Sequence, residues 1–163
     1  MKYFAFRRNS ALAAAMVAGL LAVPAMADVV GGEGWSRATP PGAREAVGYL
    51  VLTNKGDEER RLLKITSTIS DSVSIHRSSV NAQGVAQMWP VGFLKLEAGE
   101  TVRFEPNGLH VMFSGLKKPL QAGDKLPLVL QFDGREKPFT VMLEVRPLVP
   151  ATAAPEHSQH DHH

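Results

Sequence analysis

Cysteine is absent from all 163 residues. Its absence excludes disulfide staples, cysteine zinc sites, thiol catalysis and the blue-copper centre, which needs a thiolate. It also leaves no attachment residue for a lipobox-type lipid anchor. Aromatic residues are sparse at 7%, and charged residues make up 21%. Beyond the N-terminus no apolar run is long enough to cross a bilayer, so membrane insertion of the mature chain is not expected. No segment of that part of the chain carries a helical stripe.

The N-terminus is a targeting segment. Lys2, Arg7 and Arg8 precede an apolar run from Ala11 to Val23, and Ala25-Met26-Ala27 is a small-x-small cleavage site. This is the pattern of a secretory signal peptide over residues 1–27. The Arg7-Arg8 pair raises twin-arginine export, but its flanks match that signal poorly, and general secretion to the periplasm is expected. Cleavage removes three basic residues and leaves 15 basic against 16 acidic ones. The apparent isoelectric point near 9 thus belongs largely to the segment removed, and a nucleic-acid footprint is not expected.

The mature chain reads as short strands. Candidates are Tyr49 to Thr53, Leu62 to Ile69, Val73 to Ser78, Val85 to Val91, Thr101 to Glu105, Leu109 to Ser114, Leu126 to Phe132 and Phe139 to Val145. Leu126, Leu128, Leu130 and Phe132 alternate on one face, as do Phe139, Val141, Leu143 and Val145, the mark of half-buried strands. Pro40-Pro41-Gly42, Lys55-Gly56-Asp57, Asn81 to Gly84, Pro106-Asn107-Gly108 and Asp133-Gly134 supply turns. The expectation is an all-β antiparallel sandwich or barrel over residues 28–148. Residues 149–163 contain Pro150, Pro155, three alanines and four histidines, with no apolar face to bury, and read as a disordered His-rich tail.

Outside that tail only two histidines remain, His76 and His110, and the mature chain holds three methionines, Met88, Met112 and Met142. In Leu109-His110-Val111-Met112-Phe113 the apolar odd positions face the core, so His110 and Met112 share the opposite face. Ile75 likewise turns His76 outward. A hairpin centred near Ala82 would put Met88 directly across from His76, with β-carbons about 5 Å apart. Any one of these residues alone is ordinary packing or surface, and Met142 is left in that class. Methionines off a core face, beside histidines, lack a packing reason. Two imidazoles and two thioethers form a soft, uncharged ligand set suited to Cu(I), and poorly suited to Mg²⁺ or Ca²⁺.

His76, eleven residues, Met88, 21 residues and His110-Val111-Met112 form a pattern that resembles the periplasmic copper chaperone family PCuAC. Trp35-Ser-Arg-Ala-Thr-Pro-Pro-Gly42, Gly48-Tyr-Leu-Val-Leu-Thr-Asn54 and Met88-Trp-Pro-Val91 resemble it too. The methionine that often follows the first histidine is Arg77 here. The resemblance implies a cupredoxin-like Greek-key β-barrel that binds one Cu(I) through His76, Met88, His110 and Met112. It further implies a chaperone, not an enzyme, that supplies the copper A centre of cytochrome oxidase, with a Sco-type thiol protein or the oxidase copper A subunit as partner. Some members carry a His- and Met-rich C-terminal extension that binds Cu(II). His157, His160, His162 and His163 carry over only its imidazole part. An amino-terminal Cu(II) motif is excluded, because Asp28-Val29-Val30 lacks a histidine in third place. Copper buffering or resistance without a dedicated receiver is the alternative function. A structural β-sandwich with incidental His and Met, which would bind no stoichiometric copper, is the third.

Overall fold

A computed structural model describes residues 28–134 and 137–148. The signal segment 1–27 and the tail 149–163 lie outside the described residues. Ten strands follow in chain order: β1 Val29–Arg37, β2 Glu45–Asn54, β3 Arg60–Thr66, β4 Ser70–Val80, β5 Ala86–Pro90, β6 Lys95–Leu96, β7 Thr101–Arg103, β8 Leu109–Leu116, β9 Lys125–Phe132 and β10 Phe139–Arg146. They form one sheet in the order β5-β4-β8-β2-β1-β10-β9-β3-β6, with β7 also on β2. Among the described residues there is no helix. The all-β expectation holds, and the fold is a cupredoxin-like β-sandwich. The β1–β10 pair is parallel, and the other pairs are antiparallel.

Alternation fixes the core. Leu126, Leu128, Leu130 and Phe132 of β9 are buried, as are Val141, Leu143 and Val145 of β10, and they meet Leu50, Leu52, Val111 and Phe113. The sheet curls until β3 approaches β4, where Leu62 and Ile65 line a cleft with Val73 and Ile75. Two buried polar side chains are satisfied rather than stranded. Ser36 Oγ donates to the Val47 carbonyl at 2.8 Å. Asn54 Nδ2 donates to the carbonyls of Glu58, Leu96 and Glu97, and its Oδ1 accepts from Gly56 N–H.

Three expectations need correction. β1 was not anticipated, because Val-Val-Gly-Gly-Glu-Gly carries three glycines, which strands disfavour. Those glycines serve close packing: a β-carbon at Gly31 would run into the Val141 side chain, and one at Gly34 would lie 3.0 Å from Leu143 Cγ. The run from Leu62 to Ile69 is not one strand. It breaks at residues 67–69, where the chain turns from β3 into β4, and Ser67 Oγ donates to the Pro127 carbonyl. The third correction concerns the β4–β5 register and bears on the site.

Candidate metal centre

β8 lies between β4 and β2, so its backbone is paired on both sides. His110 is directly opposite His76 on β4, and Met112 is opposite Ser74. The imidazole centroids of His76 and His110 are 6.0 Å apart, with the rings inclined at 35°. Met88 of β5 is opposite Ser78, and His76 is opposite Pro90. Register shifts of two keep a side chain on its face. Met88, His76, His110 and Met112 therefore share one face across three adjacent strands, as alternation implied.

Met88 is nonetheless two residues off the direct pairing expected with His76. The turn is the cause. Asn81 N–H donates to the Val85 carbonyl and Gly84 N–H to the Asn81 carbonyl. Asn81 Oδ1 accepts from the N–H groups of Gln83 and Val85, and Gly84 takes the left-handed conformation at φ 78°. The loop is thus centred on Gln83 rather than Ala82, and the partner of His76 moves from Met88 to Pro90. His76 and Met88 become diagonal neighbours, a residue separation of about 7–8 Å that a long thioether side chain spans.

The four side chains differ sharply in exposure. His110 is 4% exposed although it points away from the core, whereas Met88 is 54% exposed. His76 and Met112 are half-buried. His110 Nδ1 lies 3.1 Å from the Gly108 carbonyl oxygen, which also accepts Ser78 N–H at 2.9 Å. Asn107 at φ 62° makes the turn that presents this carbonyl. His76 Nε2 lies 3.0 Å from Ser74 Oγ. His76 Nδ1 is buried and has no hydrogen-bond partner among the described residues. Ser74 and Gly108 escaped the sequence reading because a strand serine and a turn glycine look like ordinary polar and turn positions. The one available signal for Ser74 was its place two residues before His76, on the same face.

The same outer face continues onto an aromatic pair. Val47 of β2 is opposite Met112, and Tyr49 follows two residues on. Tyr49 packs against Trp35 of β1 with ring centroids 4.4 Å apart and the rings tilted at 40°. The Arg146 and Arg37 guanidinium carbons stand 4.8 and 5.5 Å from the Trp35 centroid, within cation–π range. Burial raises the Tyr49 phenol above its ordinary pKa, and the Arg37 charge opposes that shift.

The donor set fits a soft cation. A metal–imidazole bond of about 2 Å puts an ion roughly 3.2 Å from each ring centroid, so two rings sharing one ion stand no more than about 6.4 Å apart. The observed 6.0 Å meets that limit. The unpartnered His76 Nδ1 is the kind of buried polar atom that a bound ion would satisfy. Among the described residues no three His, Cys, Asp or Glu side chains gather into a cluster, so a hard oxygen-ligated cation finds no cage here. Met142 is 49% exposed on β10 and stands opposite Pro127, apart from the site. The tail histidines His157, His160, His162 and His163 lie outside the described residues.

Comparison with known proteins places the chain. The profile of the family described as "Putative lipoprotein LpqE-like" matches residues 29–145. The chain belongs to the LpqE-like family. A curated relative, "Putative lipoprotein Lxx21020" of Leifsonia xyli subsp. xyli (strain CTCB07), is 33% identical over 109 residues, covering 66% of this chain and 64% of the relative. The LpqE-like chain thus spans somewhat under two thirds of that relative's length.

Solved structures match the fold. The copper-bound PCuAC domain from PmoF2 superposes with a TM-score of 0.61 at 22% identity, covering 75% of this chain and 95% of the other. The apo PCuAC domain from PmoF1 gives 0.60 at 22% identity, with 75% and 96% covered. Cu(I)-bound DR1885 from Deinococcus radiodurans gives 0.56 at 28% identity, with 79% and 83% covered. The PCuAC resemblance is thus met at the level of fold, alongside an LpqE-like family assignment.

Proposed function

We propose that this LpqE-like protein is an extracytoplasmic copper chaperone, not an enzyme. It would hold one Cu(I) through His76, His110, Met112 and Met88 and pass it to a thiolate receiver. The observation that carries the reading is the directly opposed His76–His110 pair with centroids 6.0 Å apart, flanked on the same face by both thioethers. The copper-bound PCuAC domain of PmoF2 and Cu(I)-bound DR1885 share its fold and support the choice of metal.

Neutral imidazoles and thioethers favour the soft ion without adding charge. A thiolate binds Cu(I) more strongly, so a receiver with two reduced cysteines draws the ion off. A Sco-type thiol protein or the oxidase copper A subunit has that chemistry. Export behind a cleaved signal peptide of residues 1–27, with the copper domain at 28–148, completes the reading. The tail at 149–163 would add a weaker Cu(II) site on His157, His160, His162 and His163, since imidazoles near Glu156 and Asp161 suit that harder ion.

A Cu(I) titration against a chromogenic chelator tests the core site. One equivalent should bind, and X-ray absorption should show nitrogen and sulfur scattering together. Unchanged affinity in a Met88→Ala, Met112→Ala double variant would sink the ligand set. Truncation after Leu148 should abolish Cu(II) binding and spare Cu(I) binding. Transfer of Cu(I) to a reduced two-cysteine acceptor within minutes separates a chaperone from a buffering protein, which would retain it.

A further inference from the structure

The two imidazoles of the proposed site are held at different nitrogens, and this assigns them different roles. The inference rests on the copper reading above. At His110 the partner of Nδ1 is the Gly108 carbonyl, 3.1 Å away. A carbonyl oxygen only accepts, so the proton sits on Nδ1 and the lone pair on Nε2. The same carbonyl accepts Ser78 N–H from β4, which ties the ring orientation of His110 to the strand that carries His76.

At His76 the pattern is reversed. Nε2 is 3.0 Å from Ser74 Oγ, and Nδ1 is buried with no hydrogen-bond partner among the described residues. A hydroxyl can donate or accept, so Ser74 alone does not fix the tautomer. The buried nitrogen does. A proton on Nδ1 would be a buried donor with nothing to receive it, among the rarest and costliest defects in folded proteins. A proton on Nε2 is accepted by Ser74 and leaves only a lone pair at Nδ1. That lone pair is what a soft cation requires. Ser74 stands on the same face, two residues before His76, and opposite Met112.

We infer that Ser74 is a positioning residue that holds the His76 proton on Nε2, so that Cu(I) is bound by Nδ1 of His76 and Nε2 of His110. The ring orientations exist before the ion arrives, and binding requires no tautomer change at either histidine. The pairing also gives the site a handedness, one ring gripping from its near nitrogen and the other from its far one.

Two-bond ¹H–¹⁵N correlation spectra of the histidine rings test this under conditions where both are neutral. In the apo protein His76 should show a protonated Nε2 and His110 a protonated Nδ1. One equivalent of Cu(I) should move the signals of His76 Nδ1 and His110 Nε2. Ser74→Ala should give His76 a mixed tautomer signature and lower Cu(I) affinity about 10-fold, the lower end for loss of a partner that orients a ligand. Ser74→Thr should restore both. The His110 pattern should stay unchanged in Ser74→Ala, which shows that the fold survives. Coordination of His76 through Nε2, or a Ser74→Ala protein with the native tautomer and affinity, would overturn the assignment. Failure of the unaltered protein to bind Cu(I) would overturn the copper reading instead, and the apo spectra would still decide the role of Ser74.

Discussion

Strands β8 and β5 each contribute to the same proposed site, and they could hardly be placed more differently. β8 is interior, paired on one side with β4 and on the other with β2. Its His110 is 4% exposed, and its apolar partners Val111 and Phe113 anchor the core. β5 is the edge of the sheet, and all five of its residues are exposed. It ends at Pro90, a residue suited to an edge because it lacks an N–H. The difference teaches a division of labour. A ligand on β8 is fixed by the fold, because moving it means moving the core. A ligand on β5 is held by one strand pairing and a turn, and few buried contacts resist its displacement. On the proposed copper reading, retention of the ion would belong to the interior strand, and its release to the edge.

The largest effect should come from removing the interior ligand. Replacing partners that merely orient a metal ligand costs about 10- to 100-fold in affinity, so losing the ligand itself should exceed that range. His110→Ala should therefore lower Cu(I) affinity by more than about 100-fold in chelator competition. A loss no greater than that of Met88→Ala would break the contrast between the strands.

Stability should divide the same way. A β-carbon at Gly48 of β2, opposite Val111 of β8, would lie 2.6 Å from Leu143 Cδ2 and 2.9 Å from Phe113 Cε2. Gly48→Ala should cost about 3 kcal/mol, the upper end for overpacking, because Leu143 and Phe113 are fully buried and cannot give way. Gly84, in the β4–β5 turn, has open space around it and only its φ of 78° at stake, so Gly84→Ala should cost about 1 kcal/mol. Urea unfolding of the two variants measures both. Equal shifts, or a larger one at Gly84, would show the hairpin to be as tightly integrated as the barrel.

How much of this was open to sequence reading follows from the physics of each part. Strand alternation identified the core faces of β9 and β10, because a period of two states which side is buried. The same alternation put His76, His110, Met88 and Met112 on one face. What alternation cannot supply is register: shifting the turn centre by one residue, from Ala82 to Gln83, moves the strand partner by two and leaves the face unchanged. That is why the face was right and the His76–Met88 pairing was not. β1 was hidden because Gly31 and Gly34 find their reason in close packing against Val141 and Leu143, distant in sequence. The burial of His110 was hidden too, since the outward position of a residue does not reveal whether neighbouring strands and turns cover it.

A smaller effect separates the two thioethers. Met112 is half-buried, opposite Ser74 and Val47, whereas Met88 is diagonal to His76. Met112→Leu should lower Cu(I) affinity more than Met88→Leu, because the interior sulfur is already positioned and loses less entropy on binding. Met88→Leu should leave the unfolding free energy within about 0.5 kcal/mol, as for other exposed positions. It should also speed transfer to a two-cysteine acceptor in stopped-flow measurements. Slower transfer from Met88→Leu would mean that the edge sulfur escorts the ion to the receiver rather than retaining it.

The smallest expected difference is also the most direct test of exposure. Peroxide converts a thioether to a sulfoxide, and the rate depends on access to the sulfur. Met88 at 54% exposure should be oxidised before half-buried Met112 in the apo protein, read by peptide mass spectrometry over a time course. Met142, at 49% exposure and away from the site, supplies the internal reference: it should oxidise at a rate close to that of Met88. Bound Cu(I) would occupy the sulfur lone pairs of Met88 and Met112 and leave Met142 alone. Loading the protein under conditions that exclude copper-driven oxidation should therefore slow Met88 relative to Met142. The ratio of the two rates then reports whether the edge thioether is a ligand, without any measurement of affinity. A ratio that copper does not change would remove Met88 from the ligand set and leave the site to the two histidines and Met112.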